Sequence, residues 1–325
     1  MSLVTSHATS VGATERVESV VLRSADGSTE AEFVPGANLL CSSLRYLGYE
    51  YLHQGDGVRA YLRDGRTMGI PLLHPWANRL NGFHYRVAGK DVILPRGENL
   101  IPLDDIGLPI HGAMPALMGW EVERLSRTAL TATLRWTSRE LLKLFPFPHE
   151  LSVDATVGSG ALTIATTLDS VGEQSVPVSF GYHPYLHIPE EKRSGWRVAL
   201  GARERLLLDE AMIPTGAREP VAPRCFILAQ QVLDDGYAAL DDPAEFEAAA
   251  GNVALRVRFL DGYGCAQVYA PAGQDFVCFE PMTAPTNALV SGEGLALVAP
   301  GARYRAAFRV SISRVPGGDR LELAW

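Results

Sequence analysis

The chain has 325 residues, of which 47% are hydrophobic, 20% charged and 8% aromatic. That balance excludes pervasive disorder, collagen-like repeats and a fibrous role. Basic residues number 29 against 37 acidic, a net charge of −8, which does not draw nucleic acid or anionic lipid to the surface as a whole.

In chain order, Met1 to Thr14 is polar and rich in small residues, without the apolar run of a signal peptide. Residues 1–15 are expected to be a disordered tail, and 16–325 a single large β domain. Asp26-Gly27 separates Val20-Val21-Leu22 from the run at 30–34, a hairpin signal. Leu130, Ala132, Leu134 and Trp136 alternate with polar residues, as do Leu151, Val153, Ala155 and Val157. Val253 to Phe259 and Tyr304 to Ile312 repeat the pattern. Period two places one set of side chains on a core face, as in antiparallel sheets. Turns are expected at Gly158-Ser159-Gly160 and Gly262-Tyr263-Gly264.

Helical signals are few. Arg139 to Leu144 predicts one turn before Pro146, and Ala244 to Ala250 predicts about two turns after Asp242-Pro243, with proline at the first helical position. No βαβ alternation and no long-period repeat is present. The expected fold class is therefore all-β, a large antiparallel sandwich of two sheets. No stretch reaches the roughly 20 apolar residues of a membrane span. Cys41, Cys225, Cys265 and Cys278 lack CxxC spacing, and read as reduced, mostly buried thiols in a cytoplasmic protein.

No GxSxG elbow, GxGxxG loop or P-loop occurs, so hydrolase, dinucleotide and NTPase readings have no motif to start from. His183 and His187 are spaced i, i+4, but Pro184 lies between them in a strand-like context, so no metal site is expected.

Four segments join polar, reactive side chains to rigid or aromatic neighbours: 75–83 with Trp76, Asn78 and Arg79; His111-Gly112, with Trp120 following; Phe180 to Tyr185, containing His183; and Cys278 to Pro281, leading into Thr286-Asn287. Glu280 follows the apolar run 276–279 and precedes a proline. It reads either as a strand-end carboxylate paired to an arginine, or as a desolvated carboxyl poised as a general base. His183, flanked by Tyr182 and Tyr185, is either a hydrogen-bonded structural imidazole or an acid–base group. Arg79 is a surface ion-pair donor or an anchor for a ligand, and His111 caps a turn or binds. Trp76, Trp120, Tyr182 and Phe279 individually read as core.

Taken together and in order, these segments resemble the aldose 1-epimerase (mutarotase) family over roughly residues 16–315. Asn78-Arg79, Gly82-Phe83, Gly89, Leu94-Pro95 and His111-Gly112 are similar to the family's NR, G-F, G, LP and HG sequence; Tyr182 to Tyr185 is similar to its HPY segment, and Phe279-Glu280-Pro281 to its E-P segment. The resemblance implies a galactose mutarotase-like β-supersandwich that binds a sugar and interconverts its α and β anomers without cofactor or metal. It implies Glu280 as general base and His183 as general acid, with Arg79, His111 and Asp234 holding sugar hydroxyls and Asp235 as the adjacent competitor of Asp234. Asn78 and Tyr185, within the matching motifs, join the expected sugar-binding set. For His183 to donate a proton near neutral pH, nearby carboxylates are expected to raise its pKa.

One departure bears on substrate. The hexose-6-phosphate branch of the family typically carries an arginine shortly after its HG; here the chain reads Ala113-Met114-Pro115, and no arginine lies between His111 and Trp120. An unphosphorylated aldohexose is therefore the expected substrate, and a small sugar the expected partner, with neither nucleic acid nor membrane. A sugar sensor without turnover, a hexose-6-phosphate epimerase and a glycosidase or lyase on a related sandwich are the alternatives; the last fits less well, because glycosidases usually employ two carboxylates. Monomer and homodimer are not distinguished by the sequence.

Overall fold

The computed structural model describes residues 17–97, 100–113 and 119–315; the expected tail at 1–15 and the segment 114–118 lie outside them. Two large antiparallel sheets dominate the described residues. The nine-stranded sheet runs, edge to edge, through Cys225–Ile227, Arg197–Ala199, Glu245–Ala250, Val253–Asp261, Arg303–Arg314, Ala161–Ser170, His149–Gly158, Ala129–Trp136 and Glu121–Leu125. The other runs through Pro214–Pro220, Ala202–Leu208, Leu233–Leu240, Cys265–Ala270, Val277–Met282, Gly181–Tyr182 and Leu72–Leu73, with Tyr185–Leu186 pairing off the path onto Val277–Met282. A four-stranded meander, from Val20–Arg23 to Tyr49–Glu50, contains the hairpin expected at Asp26-Gly27.

The period-two signal is realised as burial. In His149–Gly158, Leu151, Val153, Ala155 and Val157 are buried, while Glu150, Ser152, Asp154 and Thr156 are not. The resulting core holds Trp76, Trp136, Trp196, Phe246, Phe279 and Phe308 with almost no exposure, each phenylalanine worth about 1.5–3 kcal/mol of transfer free energy at full burial. Trp120 and Tyr182 are buried as well. Cys41 and Cys278 are buried and Cys225 and Cys265 half-buried, all four free.

Two local expectations fail and one holds. The helix at Arg139–Leu144 is present, its N-cap Ser138 accepting from the Leu141 amide. Residues 244–250, expected to be helical, instead form the strand Glu245–Ala250 between Arg197–Ala199 and Val253–Asp261. Phe246 and Ala248 point into the core and Glu245 and Glu247 out, so sheet pairing overrides the helical propensity of alanine and glutamate. Glu280 lies not at a strand end but inside Val277–Met282, flanked by strands on both sides.

Candidate active site

Register brings residues 97 apart in sequence together. Gly181 pairs with Met282 and Tyr185 pairs with Cys278, both antiparallel on one strand. The same register sets residue 183 opposite residue 280, where Pro184 interrupts the ladder. Gly181 permits this close approach, since a Cβ there would lie 2.7 Å from the Pro281 carbonyl oxygen. His183 Nε2 then stands 3.2 Å from Glu280 Oε1, with both residues buried. Glu280 Oε2 and His183 Nδ1 are buried without a hydrogen-bond partner among the described residues.

Alternation supplies the next members. Gln267 lies directly across from Glu280, and Gly236 across from Gln267, so these share one face of the sheet. Asp234, two positions before Gly236, shares it too, and its Oδ1 accepts from Gln267 Nε2 at 2.6 Å. Asp235 points the other way, to Arg205 Nη1 at 3.1 Å. The competition between the two aspartates is thus decided by strand phase: Asp234 is on the face of Glu280.

The loop carrying Asn78 and Arg79 closes the site from a second direction. Asn78 and His111 both have left-handed backbones, φ 57° and 61°, a conformation that non-glycine residues hold only where surroundings enforce it. The His111 amide donates to the Asn78 carbonyl at 2.9 Å. Gly112 is required beside it, since a Cβ would fall 2.2 Å from the His74 carbonyl oxygen. Asn287 ties this loop to the segment following Glu280: its amide donates to the Arg79 carbonyl and its Oδ1 accepts from the Asn81 amide. Arg79 reaches toward Asp234, Nη2 to Oδ2 3.6 Å. Asn78 Oδ1 accepts from both the amide and Nη1 of Arg79, and Asp104 Oδ2 accepts from Arg79 Nε at 2.9 Å.

Aromatic rings fix the imidazole. Tyr185 stacks on His183 at 4.3 Å and 6°, while His111 and Tyr269 meet it edge-on. The Tyr185 hydroxyl lies between Thr67 Oγ1 and His183 Nε2, 3.3 Å from the latter. Its hydroxyl is therefore engaged within the protein, next to the His183–Glu280 contact.

Burial sets the protonation. Desolvation, reinforced by Asp234, pushes the Glu280 carboxyl well above its usual range, and Arg79 opposes it. The expectation that carboxylates raise His183 is not met. Desolvation, followed by the neighbouring His111, drives His183 well below its ordinary value, because loss of water costs an imidazolium more than its neighbours return. His111 is itself pushed down to about 3 by burial and by Arg79. A neutral imidazole facing a protonated carboxyl holds the same single proton as an imidazolium facing a carboxylate; the two differ only in where that proton sits along one hydrogen bond.

Every residue expected to form the site, His183, Glu280, Arg79, His111, Asp234, Asn78 and Tyr185, belongs to this one connected cluster. Gln267 and Asp104 were not expected. A lone amide between Ala266 and Val268 was a readable signal for Gln267; Asp104 reads from sequence only as part of a turn. Among the described residues, no group of three or more His, Cys, Asp or Glu side chains could hold a metal ion, and no helix is long and apolar enough to cross a membrane.

The antiparallel β architecture matches that of known proteins. The chain belongs to the aldose 1-epimerase family, whose model matches residues 36–311. The Escherichia coli protein YihR is 25% identical over 257 residues, covering 74% of this chain and 80% of YihR. The Slr1438 protein of Synechocystis sp. PCC 6803 superposes with TM-score 0.76 at 25% identity, covering 94% of this chain and all of that one. A galactose mutarotase-like protein from Clostridium acetobutylicum gives TM-score 0.80 at 16% identity, covering 92% and 96%. The fold is accordingly the galactose mutarotase-like all-β sandwich.

Proposed function

We propose that this chain is an aldose 1-epimerase, a cofactor-free isomerase acting on an unphosphorylated aldohexose. The observation that carries the reading is the His183–Glu280 contact at 3.2 Å, surrounded by Arg79, His111 and Asp234. Interconverting anomers requires opening a hemiacetal: the C1 hydroxyl loses a proton while the ring oxygen gains one. In the reactive distribution Glu280 is a carboxylate and His183 an imidazolium, reached by moving their shared proton to Nε2. Glu280 takes the C1 hydroxyl proton as His183 protonates the ring oxygen, and the C1–O5 bond breaks. Rotation about C1–C2 turns the other carbonyl face inward. Closure reverses both transfers and returns the pair to its starting state, so no outside proton is consumed. General acid and general base each contribute about 10²–10⁴-fold.

Arg79, His111 and Asp234 supply hydroxyl contacts, those of Arg79 charge-assisted. The half-exposed Tyr269, edge-on to His183, offers an aromatic surface to the pyranose. Preference for free sugar is supported by the guanidinium of Arg79, which already faces Asp104 and Asp234, and by the lack of any Lys or Arg between His111 and Trp120. Polarimetry of freshly dissolved α-galactose, α-glucose and their 6-phosphates tests the reading. Acceleration is expected with the free hexoses above their phosphates; no acceleration of any sugar refutes the activity, and the reverse preference refutes the substrate class.

A further inference from the structure

We propose that Asp104 is a positioning residue that presents Arg79 to the sugar. This rests on the epimerase reading above and adds to it a residue that need not touch the substrate.

One carboxylate performs two tasks here. Asp104 Oδ1 accepts from the amides of Ile106 and Leu108, at 3.1 and 2.8 Å. The Asp104 amide donates to the Leu108 carbonyl, and the Ile110 amide to the Pro102 carbonyl, both at 2.9 Å, so residues 102–110 form a tight hairpin. That hairpin is bonded to the Arg79 loop, through the Leu80 amide to the Pro109 carbonyl and an isolated bridge between Arg79 and Ile110. The remaining oxygen, Oδ2, is thereby held at a set place, 2.9 Å from Arg79 Nε. The Asp104 side chain is only 8% exposed and that of Arg79 16%.

An unrestrained arginine is a poor sugar anchor, because ordering its long side chain at the moment of binding opposes association. Here Nε is held by Asp104 and Nη1 by Asn78, while Nη2 is turned toward Asp234. The guanidinium plane is set in advance, and its unengaged donors remain available to hydroxyls. Asp104 also offsets the positive charge of Arg79, which acts on His111 and Glu280 alike. Glu280 is faced in addition by His183 and Gln267 and, in the field acting on it, by Asp234.

The simpler account is that Asp104 only closes the hairpin, and Asp104→Asn separates the two. Asparagine keeps an Oδ1 acceptor for the Ile106 and Leu108 amides but removes the charge facing Arg79. The expected result is a KM for α-galactose raised about tenfold, the scale of one charge-assisted hydrogen bond, with kcat falling less than KM rises. The acid limb of kcat/KM moves to lower pH, because Arg79 without its counter-ion favours the Glu280 carboxylate. Asp104→Ala, which also removes the turn acceptor, lowers the thermal midpoint below that of the asparagine variant. Wild-type KM with an unmoved limb in Asp104→Asn overturns the proposal. If the wild-type protein accelerates no sugar, the epimerase reading fails, and Asp104 is judged by the Arg79 Nε–Hε resonance, assigned through its loss in Arg79→Lys. Faster solvent exchange of that proton in Asp104→Asn supports the positioning role, and an unchanged rate overturns it.

Discussion

Among the described residues, His74–His149 and His183–Glu280 are buried pairs that contain histidine, and they differ in what the partners allow. His74 Nε2 is 2.9 Å from His149 Nε2, and His149 Nδ1 is 2.6 Å from the Phe147 carbonyl. A carbonyl only accepts, so His149 carries its proton on Nδ1 and accepts at Nε2 from His74, which is protonated on Nε2. Both tautomers are dictated, both rings are neutral, and Trp136 and Phe145 enclose them. His183 is as deeply buried, but its partner is a carboxyl that either holds or releases a proton. Burial depresses all three imidazoles; only the pair with a titratable acid has a proton to move. Desolvation alone therefore does not give an imidazole a proton to transfer.

The largest effect is expected at Glu280. Glu280→Gln is expected to cut polarimetric turnover by about 10²–10⁴-fold while calorimetry still detects sugar binding; wild-type turnover would remove the base from the mechanism. His183→Asn is expected to reduce kcat by about 10²-fold or more with an unchanged near-ultraviolet circular dichroism spectrum. A loss of folded signal in step with the loss of rate would make His183 structural, like its counterparts.

His149→Phe probes the other side. It leaves the Phe147 carbonyl and the His74 Nε2–H unpaired in a dry core, at a cost of about 2–4 kcal/mol by urea unfolding. Turnover per folded molecule is expected to stay at the wild-type level, and a collapse in kcat without a stability change would show that the His74–His149 pair takes part in turnover.

The smallest effect is in acid. His149 falls from an ordinary 6.5 to about 4 through burial, and His74 falls well below its ordinary value for the same reason. Between pH 6.5 and 4 the unfolded chain binds protons at these rings that the folded chain refuses. Their stabilisation is therefore complete above pH 6.5 and declines as pH falls through that window. His149→Phe is expected to flatten this decline in urea midpoints measured from pH 7 to 4; a slope identical to wild type would show that His149 is not a source of it.

Strand phase, turn positions and the four reactive segments were legible along the chain, because period-two burial and turn chemistry are local properties. The alternation at 233–237 even held the answer to the aspartate question, since Leu233 and Tyr237 are core residues and Asp235 shares their phase. Local propensity misled at 244–250, where neighbouring strands on both sides outweigh an alanine-rich helical preference. Tertiary structure alone decided the rest. The meeting of residues 183 and 280 depends on a register shared with one strand, and the engagement of Asp104 with Arg79 on a hairpin bonded to another segment. The depressed His183 follows from how much water the finished fold excludes. Those are non-local quantities: they come into being only when distant segments are packed together, and it is that packing which sets an imidazole and a carboxyl 3.2 Å apart.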